Sequence, residues 1–178
     1  MKKNFLFFFV TFLSCQLCGQ FIKKDSQYIG FTPFVLGTPL STFIANELKG
    51  GKYSKDNHEF TLYGYGGGPV EIAGIRFNST ILTFNDSNML AGFSLLKFYR
   101  KNADPGYEKK AKKDYAVIID YTMEQMAHKG EKRTYYNSHL AIDKGQEWSG
   151  HSFFLRIKKN SSAYQSSVEF SFSYPGVQ

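Results

Sequence analysis

Four histidines are the first place to look for chemistry: His58, His128, His139 and His151. Metal sites on helices set two ligands three or four residues apart, and no two of these stand at that spacing. Carboxylates are spread along the chain at Glu59, Glu71, Asp86, Asp104, Asp120, Glu124, Asp143, Glu147 and Glu169. Glycoside hydrolysis needs two of them facing each other across a sugar. Asp120 and Glu124 share a helical face, where paired carboxylates are ordinarily solvated. A strained nucleophile turn of the G-x-S-x-G kind is absent, so no serine stands out. The run Gly64-Tyr65-Gly66-Gly67-Gly68-Pro69 has the glycines of a phosphate loop but lacks the Lys-Ser/Thr that follows one. Strand-forming residues come next, whereas such an anion site needs a helix N-terminus. The sequence therefore assigns no catalytic residue, no metal ligand and no cofactor.

Charge offers one clearer feature. Lys109, Lys110, Lys112 and Lys113 crowd what reads as the start of a helix, where positive charge opposes the helix dipole. This is an electrostatic patch suited to an acidic partner or an anionic surface, or simply a solvated helix face. Basic and aromatic residues interleave in Arg133-Thr134-Tyr135-Tyr136 and again over 148–158, as in single-stranded nucleic-acid binders. The modest net charge and the leader described next argue against nucleic acid.

Lys2 and Lys3 precede a nine-residue segment, residues 5–13, that is apolar except for Thr11 and is followed by mostly small and polar residues up to Gly19 and Gln20. That is the layout of a secretory signal peptide, and 1–19 is set aside from the fold. The expected cut follows Gly19, leaving Gln20 free to cyclise. The competing pattern, Phe12-Leu13-Ser14-Cys15, is that of a lipoprotein, whose only membrane attachment would be a lipid on Cys15. The Phe-rich segment resembles export signals of Bacteroidota-type bacteria. Both cysteines, Cys15 and Cys18, lie inside the leader, so the mature domain carries no thiol chemistry. Removing Lys2 and Lys3 from 22 basic and 15 acidic side chains leaves a formal charge of +5, mildly basic. The expected location is secreted or periplasmic.

What remains, 20–178, has the length of one domain. It is rich in aromatics, with 12 Tyr and 18 Phe in the whole chain, which favours strands. Residues 21–37 read as an irregular lead-in or edge strand interrupted by Gly30 and Pro33. Thr38 and Pro39 then signal a helix start, and Leu40, Phe43, Ile44 and Leu48 recur at helical spacing before Gly50-Gly51 ends it. Strands are expected over 59–65, 70–77 (continued or followed by 80–84) and 89–99. Asp104 and Pro105 open a second, longer helix with a buried stripe of Ala111, Tyr115, Ile118, Thr122 and Met126, flanked by Ile119 and Met123. Strands follow over 133–137, 148–158 and 164–174, the last with Val168, Phe170 and Phe172 on one side and Glu169 and Ser171 on the other.

Each half thus reads as a helix followed by three strands. A shift of 73 residues lays Leu82-Thr83-Phe84 over Leu155-Arg156-Ile157, which fits half-repeats 29–102 and 104–178. The expected fold is α+β: an antiparallel β-sheet with two helices packed on one face, arranged as a tandem duplication. Such an arrangement is similar to tandem-repeat bacterial inhibitors typified by β-lactamase inhibitor protein, and to small outer-membrane assembly lipoproteins. The likeness is one of architecture, and no motif carries a family assignment.

With helices on one side only, bulky side chains must emerge on the other. The strand 89–99 is apolar on both faces, with Leu96 and Phe98 on the second. Trp148 and Phe154 share a face of theirs, and Tyr63 and Tyr65 border the glycine run. The expected function is a non-enzymatic, exported protein-binding module, inhibitor-like, immunity-like or an envelope accessory. Its partner would dock on Leu96, Phe98, Trp148, Phe154, Tyr63 and Tyr65, steered by the lysine patch. Two other readings stay open. One is a small secreted hydrolase using His139 or His151 with a carboxylate of the loop 143–147. The other is a ligand or lipid carrier with an apolar cavity.

Overall fold

The computed structural model describes residues 19–43, 48–54, 61–103, 105–136, 142–162 and 164–175. In chain order the first strands are β1 (Phe21–Lys24), β2 (Gln27–Phe31), β3 (Phe34–Val35), β4 (Leu48–Ser54), β5 (Thr61–Tyr65), β6 (Val70–Ile72) and β7 (Ile75–Phe77). Then come β8 (Ser79–Phe84), β9 (Leu90–Arg100), one helix α1 (Tyr107–Met126), β10 (Glu131–Tyr136), β11 (Ile142–Ser149), β12 (Phe154–Ser161) and β13 (Gln165–Ser173). They form three antiparallel sheets: an eight-stranded one in the order β10-β11-β12-β13-β9-β8-β5-β4, the three-stranded β1-β2-β3, and the hairpin β6-β7.

The alternation in β13 builds the centre of the large sheet. Val168, Phe170 and Phe172 are buried, and β13 runs beside β9 so that Phe170 faces Leu95 and Phe172 faces Phe93. Their partners across the next strands are Ile157 and Leu155 on β12 and Thr80 and Leu82 on β8. These side chains make one apolar face, here called the covered face. The helix α1 lies on it, crossing from the end of β9 back to β10, and touches β13, β12 and β9. Its buried residues are Ala111, Ile118, Ile119, Thr122 and Met126, the stripe expected from the 3.6-residue period.

The fold class expected from the sequence is corrected: the protein is mostly β with a single helix among the described residues, not a sheet carrying two helices. The first expected helix reduces to one 3-10 turn, Leu40–Thr42, and Leu48 already begins β4. The local reason is visible at Thr38. Its hydroxyl donates to the Val35 carbonyl at 2.7 Å instead of accepting from a helix N-terminus. Its backbone is also taken, because Leu90 N–H donates to Thr38 O and Leu40 N–H to Asn88 O, both at 2.8 Å. Pro39 is extended and bridges Met89. Tertiary pairing with the start of β9 thus overrides a helix propensity worth only tenths of a kcal/mol per residue. With a single helix among the described residues, the two-helix tandem arrangement expected from the sequence, and the architectural likeness to tandem-repeat inhibitors built on it, are corrected as well. Within that span Ile44 lies outside the described residues, as do the leader up to residue 18, His58, Glu59, Asp104 and His139.

The place of the second helix is filled by the segment read as an irregular lead-in. The β1-β2-β3 sheet and the β6-β7 hairpin add Phe31, Phe34, Val70, Ile72 and Phe77 to the same core. Phe31 packs on Phe170 with centroids 5.1 Å apart, and Phe34 on Phe93 at 5.0 Å. Each buried phenylalanine contributes about 1.5–3 kcal/mol, so this segment is integral to the domain. The expected strand 70–77 is a tight hairpin instead, closed at Ala73 and Gly74, both at positive φ.

Polar contacts at Asp114 tie α1 to the sheet. Lys97 points to the covered face, and its Nζ lies 2.7 Å from Asp114 Oδ2; the Tyr99 hydroxyl donates to the same oxygen at 2.5 Å. Both partners of the ion pair are largely buried, so removing one strands the other. Asp114→Ala is expected to lower unfolding free energy by about 1–3 kcal/mol. Denaturant titration with an unchanged m-value checks this.

Candidate functional site

The face of the large sheet turned away from α1 carries no strand or helix among the described residues. Strand register sorts its side chains into rows. One row runs Arg133, Gly145, Lys158, Glu169, Leu96, Ser79 from β10 to β8. The next runs Glu131, Glu147, Arg156, Ser171, Ser94, Ile81. Charge therefore occupies the β10–β13 half, and apolar side chains the β9–β8 half.

The charged half is fixed by its own contacts. Glu147 accepts from the Tyr135 hydroxyl through Oε1 and from Arg133 Nε at 3.2 Å through Oε2. Arg133 also reaches Glu131 at 2.6 Å. Glu169 takes Lys158 at 3.2 Å and the Ser171 hydroxyl at 2.6 Å, and Arg156 stands 3.8 Å away. Ser171 shares a 2.9 Å hydrogen bond with Ser94 on β9. Gly145 lets the Tyr135 ring lie across β11, since a Cβ there would come within 2.7 Å of the ring. The ring then meets the Arg156 guanidinium at 5.7 Å and Lys158 Nζ at 5.9 Å, within cation–π range. Arg156 Nε is buried with no hydrogen-bond partner among the described residues.

The Tyr135 phenol is pushed well above the usual tyrosine range, first by burial and then by its hydrogen bond to Glu147, with Arg156 and Arg133 pulling the other way. It stays a proton donor. Both Glu147 oxygens are engaged, so its carboxylate is fixed in place between Tyr135 and Arg133. A cleft of about 360 Å³ adjoins it, between the chain leaving α1 (His128, Lys129, Gly130) and the side chains of Arg133, Glu147 and Phe154. Among the described residues no group of three or more His, Cys, Asp or Glu is placed to hold a metal ion. His128 is exposed, with Nδ1 3.2 Å from the Lys129 carbonyl, and His151 is exposed on the turn between β11 and β12. Among the described residues no helix is long and apolar enough to cross a membrane.

The structure disperses the docking residues expected from the sequence. Leu96 and Phe98 do share the open face, Phe98 at 41% exposure, and Ile81 at 37% extends their stripe across β8. Phe154 is there too, half-buried opposite Ser173. Trp148 is not: it is 1% exposed, faces Leu155, and its indole N–H donates to the His128 carbonyl at 3.1 Å. Reading 148–158 as one strand gave Trp148 and Phe154 the same face. The chain in fact turns over 150–153, Gly150 N–H meeting Phe153 O at 3.0 Å, and the turn breaks the alternation. Tyr63 and Tyr65 lie on the covered face, their rings edge-on to Phe84 and Phe34. Lys109, Lys110, Lys112 and Lys113 are exposed on the outer side of α1, across the sheet from Leu96 and Phe98. One flat partner surface cannot meet both.

Residues the sequence reading left unassembled are Tyr135, Glu147, Arg156, Lys158 and Glu169. Alternation marked each as strand-borne, but only the strand order makes them neighbours. Comparison with protein-family models, curated proteins and solved structures finds no match to this chain.

A titration isolates the cluster. Tyr135 is neutral in the fold, and its folded value is raised, so its stabilising effect is complete below the ordinary tyrosine range near 10 and fades as pH climbs through it. Tyr135→Phe is expected to remove the most alkaline step from the absorbance titration at 295 nm. It should also flatten the loss of stability above pH 10.

Proposed function

We propose that this chain is an exported, non-enzymatic protein-binding module whose partner docks on the open face of the eight-stranded sheet. The observation that carries this reading is the pairing of an exposed apolar stripe with a preset charged field on one uncovered surface. Phe98 and Ile81 stand out from the sheet with Leu96 between them. In the adjoining rows Lys158, Glu169 and Arg156 are held by cross-strand contacts. Interfaces are anchored by a few apolar or aromatic side chains ringed by polar ones, and arginine is prominent among the anchors. Arg156 is held beside Glu169 and against the Tyr135 ring, so the partner supplies an acidic or carbonyl group to this basic row and an apolar side chain over Leu96 and Phe98.

The fixed side chains favour this reading over catalysis. Charges already locked by neighbours lose little freedom when a partner arrives, which limits the entropic cost of binding. The lysines on α1 contribute to the encounter rate rather than to the contact, because they face another direction.

Site-specific photo-crosslinking in the native host tests the surface. A crosslinker at position 98 or 81 is expected to capture one protein, and the same probe at position 112 none. With that protein purified, Phe98→Asp and Arg156→Ala should each weaken binding at least tenfold, and Lys112→Glu should alter only its salt dependence. Capture at 112 but not at 98 would move the interface to the helix. Crosslinks solely between copies of the chain would replace a foreign partner with self-association.

A further inference from the structure

Gly19 is already inside the fold. It is buried, its N–H donates to the Glu71 carbonyl of β6 at 2.7 Å, and its own carbonyl accepts the Tyr121 hydroxyl of α1 at 3.2 Å. A Cβ at this position would sit 1.8 Å from the Phe31 ring, so only glycine fits against β2. The next residue is held as well, because Thr32 donates to Gln20 O from its N–H at 2.9 Å and from its hydroxyl at 3.3 Å. One residue thus joins the small hairpin, the helix and the three-stranded sheet, the three elements that cover the large sheet.

The leader pattern points to a cut after Gly19. Hydrolysis of the Gly19–Gln20 bond consumes one water, sends the Gly19 N–H and carbonyl away on the released peptide, and leaves a charged amine on Gln20. The bonds of the Tyr121 hydroxyl and the Glu71 carbonyl to Gly19 would be lost, and a cavity would open beside Phe31. We infer that processing stops short of this: the bond hydrolysed lies N-terminal to Gly19, and Gly19 is retained in the mature chain. Bonds preceded by a small residue in that stretch are Ser14–Cys15, Cys15–Gln16 and Cys18–Gly19. The inference rests on the export reading, and its test separates the two.

The protein is expressed at full length in an exporting bacterial host, and its N-terminus is read by intact mass and terminal peptide sequencing. A first residue at Cys15, Gln16 or Gly19, with or without a lipid adduct on Cys15, is the expected result. A start at Gln20 or its cyclised form overturns the inference while leaving export intact. A chain still carrying Met1 overturns both. In parallel, purified chains starting at Gly19 and at Gln20 are melted. The shorter chain is expected to melt roughly 3–6 °C lower, and Gly19→Ala to lower the longer one in the same direction. Equal melting temperatures for all three would remove the structural ground for the inference.

Discussion

The structure depends on the antiparallel pairing of β13 with β9. Both strands are central: β13 has one apolar and one polar face, and β9 carries apolar side chains on both. Their register sets Phe170 against Leu95 and Phe172 against Phe93 on one side, and Glu169 against Leu96 and Ser171 against Ser94 on the other. A slip of one residue would carry every one of these side chains through the sheet. It would bury Glu169 in an aromatic core and turn Phe170 and Phe172 outward. The covered face, the docking of α1 through Asp114 and the layout of the open face all follow from this single alignment.

Covering one face, with no strand or helix over the other among the described residues, explains the unusual weight of aromatics. The covered face is closed by a helix and two small sheets, which meet it unevenly, and rings fill the gaps. Phe21 contacts Tyr28, Phe31 and Tyr121, while Phe153 stacks on Phe172 at 5.5 Å. The open face is managed differently. Its edge strand β10 carries Glu131, Lys132 and Arg133, charges that discourage pairing with another sheet, and the adjoining strands neutralise one another in rows. Against that background the exposure of Phe98 and Ile81 is conspicuous, because nothing in the packing of the monomer requires it.

Strong local periodicity was legible in the sequence. The stripe Ala111, Ile118, Thr122, Met126 and the alternation of Val168, Phe170 and Phe172 both lie where the pattern puts them. Misreadings arose where long-range pairing outweighed local signals. Thr38 and Pro39 look like a helix start, yet their backbone groups are engaged by residues 88–90. Residues 21–37 look irregular because β1, β2 and β3 are short and broken by turns, and only the finished core shows what they bury. Of the candidate site, Leu96, Phe98 and Phe154 were legible from strand parity. The Tyr135–Glu147–Arg133 cluster was not, because parity gives a face and says nothing of which strand lies beside which.

The most direct measurement of the central alignment uses two engineered cysteines in a chain beginning at Gly19, which has no others. Ser94 and Ser171 stand opposite each other with their hydroxyls 2.9 Å apart. The register described here predicts that Ser94→Cys with Ser171→Cys forms an intrachain disulfide under mild oxidation in the folded protein, while Ser94→Cys with Phe170→Cys does not. A disulfide in the second pair and none in the first would place Phe170 on the open face and contradict the account.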